Sequence, residues 1–325
     1  MTASRTAHRL LEVRDLTVEY AGGSAALNDI SFDIHPGEIV GIVGESGAGK
    51  TTVGLAVLRL LPPHGRVVRG SISFRGRDVL GLSERELRAF RGREVAMLPQ
   101  EADLAANPYI RTLGQVEEVI RAHRTLGLGQ RREEARKVLA ELEMSSPRLL
   151  AAYPHELSGG ERQRLIIAQA IACEPALLIA DEPSSSLDVV LQSQWLEMIR
   201  SFRDRLGGAV LLITHNPSVL SALADRVLVM YHGQIVEEGA FEAIARHPLH
   251  PYTDALLRSV PPFPGRVGQR KHLPALAPYP GTPKPSEAAC AFEPRCPDRM
   301  MACSRQKPPL AIRENLQQVR CLKYE

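Results

Sequence analysis

The chain has 325 residues, 44% of them hydrophobic, and its 40 Lys and Arg against 37 Asp and Glu leave a formal net charge of +3. This length and composition predict a globular protein of one large domain or two smaller ones, and they exclude a disordered chain. The near balance of charges gives no reason to expect a nucleic acid as partner.

The polar residues 1–9 are followed by no apolar segment of the kind that a secretory signal needs, so we expect a protein that is not exported. No run approaches the roughly 20 apolar residues that span a bilayer. Even the apolar stretch at 209–213 ends at Thr214 and His215. A role at a membrane would therefore require other subunits.

The first part of the chain predicts β-structure. Leu16, Val18 and Tyr20 fall on one face of a strand, a second strand covers 30–34, and the apolar run at 38–43 is a third. The third strand leads directly into a glycine-rich loop.

This loop, Gly44–Thr51, fits the phosphate-binding pattern G-x-x-x-x-G-K-[ST] at every position, and a helix predicted over 51–61 should stop at two prolines. Backbone N–H groups of such a loop bind phosphate oxygens, Lys50 reaches the β- and γ-phosphates, and the Thr51 hydroxyl can hold Mg²⁺. A glycine-rich turn with a chance lysine is the weaker interpretation, because the required strand and helix both flank the loop.

Further along, a hairpin is predicted around 70–77, and Ser83 with Glu86 resembles a capping box that opens a short helix. A brief apolar strand then delivers Gln100 to the edge where α/β folds place ligand-contacting groups. From about 112 to 150 the sequence becomes helical and charged, which predicts a helical insert with a solvated face and no binding patch.

A second glycine-containing loop, Leu157–Arg164, runs into an apolar helix. Ser158 and Gly160 could therefore offer groups to another phosphate at a helix N-terminus. One nucleotide cannot obviously use both loops of the same chain.

Two more apolar strands carry polar groups at their carboxyl ends. The strand at 176–180 delivers Asp181 and Glu182, of which the first can hold Mg²⁺ and the second can orient or deprotonate an attacking water. The strand at 209–213 ends near His215, which could meet the γ-phosphate. A structural role for this lone histidine is the alternative.

The order of these motifs resembles the ATP-binding cassette (ABC) superfamily over roughly residues 10–239. Its Walker A, Q-loop, signature, Walker B, D-loop and switch motifs match, in chain order, Gly44–Thr51, Gln100, Leu157–Gln163, Leu177–Glu182, Ser184–Asp188 and His215. Two positions depart from the family pattern: Ser186 stands where alanine is common, and Asn216 where aspartate is usual. They affect only details of communication between the two sites of a dimer.

The resemblance implies a role for each matching residue. The implied ATP-binding residues are Tyr20, which would stack on adenine, and Gly44, Glu45, Ser46, Gly47, Ala48, Gly49, Lys50, Thr51 and Thr52. The implied Mg²⁺-binding residues are Thr51, Gln100 and Asp181, and the implied catalytic residues are Gln100, Glu182 and His215. The signature residues that would contact a partner's ATP are Leu157, Ser158, Gly159, Gly160, Glu161 and Gln163, and the D-loop residue is Asp188.

The family fold is an α/β ABC nucleotide-binding domain, in which a RecA-like P-loop core carries an antiparallel β subdomain and an α-helical subdomain. On this chain it would cover 1–240, with the helical subdomain at about 101–155 and a C-terminal extension at 241–325. The family forms head-to-tail dimers in which ATP on the Walker A loop of one subunit is covered by the signature loop of the other. Each phosphate-facing loop would then have its own nucleotide.

The C-terminal part narrows the resemblance. His247–Leu257 looks like the segment that follows the cassette in oligopeptide and dipeptide importer ATPases. The region around Gln100 is also similar to that group, although Glu101 replaces its usual aspartate and Ala105-Ala106 its usual Ser-Leu.

Cys173 lies in an apolar run and is predicted to be core. The other four of the five cysteines follow a proline-rich stretch at 261–285 that predicts an extended tether; they are Cys290, Cys296, Cys303 and Cys321. Close-set cysteines in a reducing compartment more often bind metal than form disulfides. The segment resembles the tail motif of the same importer ATPases, some of which are believed to bind a [4Fe-4S] cluster there. Spacing does not separate a cluster from a tetrahedral Zn²⁺ or from unligated thiols.

The resemblance therefore implies the ATP-hydrolysing subunit of a membrane ABC importer for di- or oligopeptides or related small solutes such as nickel chelates. It would lie peripherally at the cytoplasmic face of the cell membrane. Its partners would be two transmembrane permease subunits, an extracytoplasmic solute-binding protein and a second, related ATPase. The alternative is a soluble or regulatory ABC ATPase that remodels ribosomes or DNA, or an exporter. A single cassette without internal repeats or sustained heptads disfavours the soluble classes.

Overall fold

The computed structural model describes residues 9–22, 24–100, 105–183, 189–259, 288–313 and 316–325. Three of the sequence interpretations lie outside the described residues: Glu101, the D-loop at 184–188 with Asp188, and the tether at 261–285.

The described strands are β1 (Leu11–Tyr20), β2 (Ser24–Ile34), β3 (Ile39–Val43), β4 (Gly65–Phe74), β5 (Arg77–Asp78), β6 (Val95–Leu98), β7 (Leu177–Asp181), β8 (Ala209–Thr214), β9 (Arg226–Tyr231), β10 (Gln234–Ala240), β11 (Ala311–Ile312) and β12 (Gln318–Val319). They form a four-stranded antiparallel sheet of order β2-β1-β4-β5 and an eight-stranded mixed sheet of order β11-β12-β10-β9-β3-β8-β7-β6. The predicted hairpin is confirmed as the β4–β5 pair.

The described α-helices are α1 (Lys50–Val57), α2 (Glu84–Phe90), α3 (Thr112–His123), α4 (Leu128–Glu141), α5 (Pro147–Ala151), α6 (Gly159–Ile171), α7 (Val189–Leu206), α8 (Pro217–Leu223), α9 (Phe241–Arg246) and α10 (Pro251–Arg258). The capping box predicted at Ser83 and Glu86 is confirmed at the start of α2. None of the helices in the described ranges is long and apolar enough to cross a bilayer.

The middle of the large sheet is parallel and buried. β3 pairs with β8 and β9, β7 pairs with β8, and β6 pairs with β7, all in parallel. Every residue of β3, β7 and β8 is buried, as their nearly continuous apolar sequences require when both faces of a sheet are covered. Alternate residues of β3 serve two cores, because Val40 and Ile42 pack with the antiparallel sheet and Ile39 and Val43 with the helices of the other face.

Since these strands run in the same direction, their carboxyl ends meet at one edge of the sheet. The loop that starts at Gly44 follows β3, Gln100 lies just beyond β6, Asp181 ends β7, and His215 follows β8. The strands predicted before these residues are confirmed, and the fold brings the residues to a common edge.

The helix after the phosphate loop is shorter than predicted, because α1 ends at Val57 and not at residue 61. Arg59 adopts a left-handed conformation with φ of 50°. The Leu60 N–H donates to the Leu55 carbonyl at 2.8 Å and the Arg59 N–H to the Ala56 carbonyl at 3.0 Å. This pair of bonds is a Schellman cap, which terminates the helix before the two prolines.

One buried carboxylate joins the C-terminal tail to the large sheet, which β12 extends by pairing with β10. Glu237 on β10 is fully buried and accepts the backbone N–H groups of Leu249 at 2.8 Å and His250 at 2.9 Å. It also accepts the side-chain amide of Gln317 at 2.6 Å. The carboxylate therefore connects the sheet, the segment before α10 and the tail.

We expect Glu237→Gln to lower the free energy of unfolding by about 1–3 kcal/mol, because the new NH₂ group would face donors and leave a buried N–H unpaired. Urea unfolding followed by circular dichroism measures the change. Glu242→Gln, on the exposed first turn of α9, is the matched control. Equal stability of the two variants would contradict the role given to Glu237.

Candidate functional site

The loop between β3 and α1 depends on two glycines that stand where a side chain would collide with backbone. A Cβ atom on Gly44 would lie 2.2 Å from the Met230 carbonyl oxygen, and one on Gly49 would lie 2.4 Å from the Ala26 carbonyl oxygen. Gly49 also has φ of 96°, in the left-handed region that favours glycine. The loop is thus pressed against β9 on one side and β2 on the other.

Lys50 lies inside this loop with its side chain 8% exposed. Its Nζ donates to the carbonyl oxygens of Gly44 at 2.9 Å and Glu45 at 3.1 Å, and lies 4.0 Å from Glu182 Oε1. Burial lowers the pKa of Lys50, while the charges of Glu182 and Asp181 oppose that shift. A cation without full solvation is therefore held where the loop can receive phosphate oxygens.

Thr51 and Asp181 meet across the sheet edge. The Thr51 hydroxyl donates to Asp181 Oδ1 at 3.2 Å, and burial raises the pKa of Asp181, with the Thr51 hydrogen bond acting in the opposite direction. Mg²⁺ in nucleotide sites takes one or two protein oxygens and completes its shell with waters and phosphates. A hydroxyl beside an under-solvated carboxylate fits that requirement.

Glu182 and His215 form a short contact between the ends of β7 and β8. Glu182 Oε2 lies 2.6 Å from His215 Nδ1, and the Glu182 carboxylate is 11% exposed against 60% for the imidazole. The Glu182 backbone adopts φ of 49° and its N–H donates to the Ile213 carbonyl at 2.8 Å. This left-handed turn, uncommon for a residue other than glycine, directs the carboxylate toward Lys50 and His215.

Tyr20 lies at the start of α1. Its hydroxyl is 3.2 Å from the Thr52 hydroxyl, and its ring centroid is 5.7 Å from that of His64. A Cβ atom on Gly65 would approach the Tyr20 ring to 2.7 Å, so the close contact requires glycine there. No sequence pattern indicated a role for His64, just before β4, or for Gly65, the first residue of that strand.

Gln100 is exposed just beyond β6. In the described residues its amide makes no hydrogen bond to Thr51 or Asp181. Gln100 therefore lies at the same edge of the sheet as Thr51 and Asp181, and within the described residues it is hydrogen-bonded to neither of them.

The signature residues Leu157–Gln163 form the start of α6. Ser158 is the N-cap: its hydroxyl accepts the Glu161 N–H at 3.3 Å, and the Glu161 carboxylate accepts the Ser158 N–H at 2.8 Å. Gln163 donates to the Pro183 carbonyl at 3.0 Å, directly after Glu182. Within the described residues no hydrogen bond joins this segment to the phosphate loop of the same chain.

Glu45 has contacts that the sequence did not reveal. The Arg295 guanidinium binds its carboxylate at 2.8 and 2.9 Å, and the Glu45 N–H donates to the Tyr252 hydroxyl at 2.9 Å. Arg295 is 250 positions away in the chain, so no local pattern could have indicated the pair.

Cys173 is buried, as predicted. The four C-terminal cysteines form no disulfide bond, and the Cys290 N–H donates to the Cys303 carbonyl at 2.8 Å. The Met300 N–H donates to Cys303 Sγ at 3.4 Å. Burial raises the pKa of Cys290 to about 11, and raises those of Cys296 and Cys321. In the parts of the chain that the structure describes, however, no group of three or more His, Cys, Asp or Glu could hold a metal ion.

Two family models match this chain. A family model described as ABC transporter matches residues 27–185, and one described as the C-terminal region of oligopeptide/dipeptide transporters matches residues 236–303. Both bear out the resemblance seen in the sequence.

Three curated relatives match along nearly the whole chain. The probable peptide ABC transporter ATP-binding protein y4tR of Sinorhizobium fredii is 40% identical, over 96% of this chain and 94% of its own length. The oligopeptide transport ATP-binding protein OppD of Salmonella typhimurium is 39% identical, over 94% and 91%. The dipeptide transport ATP-binding protein DppD of Bacillus subtilis is 38% identical, over 96% and 94%.

Solved structures share the fold. The ATP-binding cassette MJ0796, in a dimeric post-hydrolysis state bound to ADP and Pi, matches with a TM-score of 0.63 and 25% identity over 71% of this chain and 98% of its own. The cbiO1 protein of Clostridium perfringens matches with a TM-score of 0.65 and 24% identity over 74% and 92%. The chain belongs to the ATP-binding subunits of ABC transporters, and it is an ABC ATPase with the C-terminal region of oligopeptide/dipeptide transporters.

Proposed function

We propose that this ATPase powers a peptide importer, and that the convergence of Lys50, Thr51, Asp181, Glu182 and His215 on one sheet edge is its hydrolytic centre. The main support for this centre is the 2.6 Å distance between Glu182 Oε2 and His215 Nδ1, next to the buried ammonium group of Lys50. A carboxylate held in this way can accept a proton from water, next to a cation that can bind the phosphate under attack.

Each residue has a separate task in the proposed reaction. The loop amides and Lys50 bind the phosphates, and Thr51 with Asp181 would hold Mg²⁺, which neutralises phosphate charge when bound. Glu182 orients the attacking water and accepts its proton, and His215 fixes the Glu182 carboxylate and contacts the γ-phosphate. Gln100, just beyond the end of β6, would contact the metal and the attacking water.

The proposed working unit is a head-to-tail pair of ATPases. Ser158 and Gly160, at the N-terminus of α6, would cover ATP bound to the partner's phosphate loop, and Glu161 and Gln163 would support that helix end. The cassette MJ0796 supports this arrangement, since it was solved as a dimer in its post-hydrolysis state with ADP and Pi. Closure on ATP and opening after hydrolysis would drive the attached subunits.

The proposed cargo is a di- or oligopeptide, with nickel chelates and similar small solutes as alternatives. The support is the C-terminal family match and the peptide-transport names of the relatives.

The proposed partners are two permease subunits, a solute-binding protein and a second ATPase of related but different sequence. This chain would lie peripherally at the cytoplasmic membrane face. A ribosome- or DNA-remodelling role is less favoured, because the relatives named above are transport proteins.

We also propose that Cys290, Cys296, Cys303 and Cys321 ligate a [4Fe-4S] cluster. Support comes from the resemblance of the segment to the tail motif and from the 2.8 Å hydrogen bond of the Cys290 N–H to the Cys303 carbonyl, which brings two of the cysteines together. The Met300 N–H also donates to Cys303 Sγ at 3.4 Å, and such N–H groups stabilise metal-bound thiolates. Four cysteine thiolates can ligate such a cluster, and a tetrahedral Zn²⁺ is the alternative.

Glu182→Gln should retain ATP binding and lose turnover by about 100-fold or more, because the amide cannot accept a proton from water. Nucleotide binding by calorimetry and phosphate release in the assembled transporter give the two readouts. Glu197→Gln, exposed on α7, should leave both unchanged. Turnover at the wild-type rate in Glu182→Gln would reject the proposed base.

For the cysteines, anaerobically purified protein should show thiolate-to-iron absorption in the visible range and contain iron with acid-labile sulfide. Cys296→Ser should lose both, because one ligand is removed, and Cys173→Ala should keep both. A colourless protein with stoichiometric zinc would replace the cluster by zinc, and a metal-free protein would overturn the metal proposal.

For the importer itself, affinity purification of the tagged chain in detergent should recover two polytopic membrane proteins. Because the lipid-spanning segments would be supplied by those subunits, recovery should need membrane extraction. Recovery with ribosomes or DNA, without membrane proteins, would establish the alternative function.

A further inference from the structure

Every polar group of Glu45, the second residue of the phosphate loop, is engaged. Its carboxylate binds Arg295 through two hydrogen bonds of 2.8 and 2.9 Å, and its N–H donates to the Tyr252 hydroxyl at 2.9 Å. Its carbonyl accepts Lys50 Nζ at 3.1 Å and the Ala48 N–H at 3.1 Å. Two of these partners, Arg295 and Tyr252, belong to the C-terminal region and not to the cassette.

The Arg295 side chain is also held in place by residues other than Glu45. Its side chain is only 5% exposed, and it donates to the Tyr231 hydroxyl at 3.2 Å. The guanidinium carbon lies 5.7 Å from the ring centroid of Tyr231 and 5.9 Å from that of Phe292. A planar guanidinium that binds a carboxylate through two bonds between aromatic faces has little freedom to move.

The charge of Glu45 makes this contact important for the nucleotide. A free carboxylate in a phosphate-binding loop would repel the polyphosphate, and a loop that loses its anchor would lose the alignment of its N–H groups. Arg295 neutralises the carboxylate and holds it away from Lys50, while Tyr252 fixes the adjacent backbone N–H.

We propose that Arg295 and Tyr252 are positioning residues that hold Glu45, and with it the phosphate loop, in the conformation that binds ATP. Arg295 lies between Cys290 and Cys296, so the docking of the cysteine segment and the affinity for nucleotide are linked, and ATP must in turn stabilise that docking. The proposal rests on the assignment of the loop as the nucleotide site.

The test measures ATP affinity of the full chain by calorimetry, without Mg²⁺ so that no turnover occurs. Arg295→Met should bind ATP about tenfold more weakly, because the unpaired Glu45 carboxylate remains in the loop. Glu45→Gln together with Arg295→Met should recover most of that loss, because the repelling charge is gone. Arg295→Lys should fall between wild type and Arg295→Met, and Arg299→Met, exposed four residues further on, is the matched control.

In the assembled transporter, Arg295→Met should raise KM for ATP with a smaller change in kcat, since Glu182 and His215 are intact. Wild-type affinity in Arg295→Met would overturn the proposal. So would an equal loss in the single and double variants, because that result would indicate damage to the fold and not an uncompensated charge. Lys50→Ala tests the assignment of the nucleotide site separately. If this variant keeps ATP affinity, that assignment fails, and the proposed role of Arg295 and Tyr252 fails with it.

Discussion

The common direction of β3, β6, β7 and β8 is the constraint on which the site depends. Parallel strands with both faces buried can expose polar groups only at their ends, so the loop after β3, the acidic pair at the end of β7 and the histidine after β8 meet at one edge. Residues more than a hundred positions apart become neighbours in this way.

Burial at this edge shifts the pKa values of a lysine and an aspartate in opposite directions. The pKa of Lys50 is lowered and that of Asp181 is raised, in both cases first by loss of solvation. Both groups would be better solvated by a ligand that brings phosphate oxygens to the ammonium and a divalent cation to the carboxylate. The site therefore suits a ligand that brings negatively charged phosphates together with a divalent cation.

The local parts of this arrangement were readable from the sequence. Apolar runs marked β3, β7 and β8, and the spacing from Gly44 to Thr51 marked the phosphate loop, because both depend on neighbouring residues. The end of α1 was not readable, since Arg59 entered a left-handed conformation that its side chain does not signal. The Arg295–Glu45 pair, the Glu237 contacts and the two-residue strand β12 depend on long-range packing, so no sequence period could show them.

The hydrogen bond from Gln163 to the Pro183 carbonyl has a mechanical consequence for a pair of such subunits. The hydrogen bond joins the helix end that would contact the partner's nucleotide to the residue that follows this chain's own Glu182. A displacement of the one would shift the other. In a sandwich of two chains, occupancy at either composite site would therefore alter the alignment of the acidic residue at the opposite one, so the two sites would work as a coupled pair.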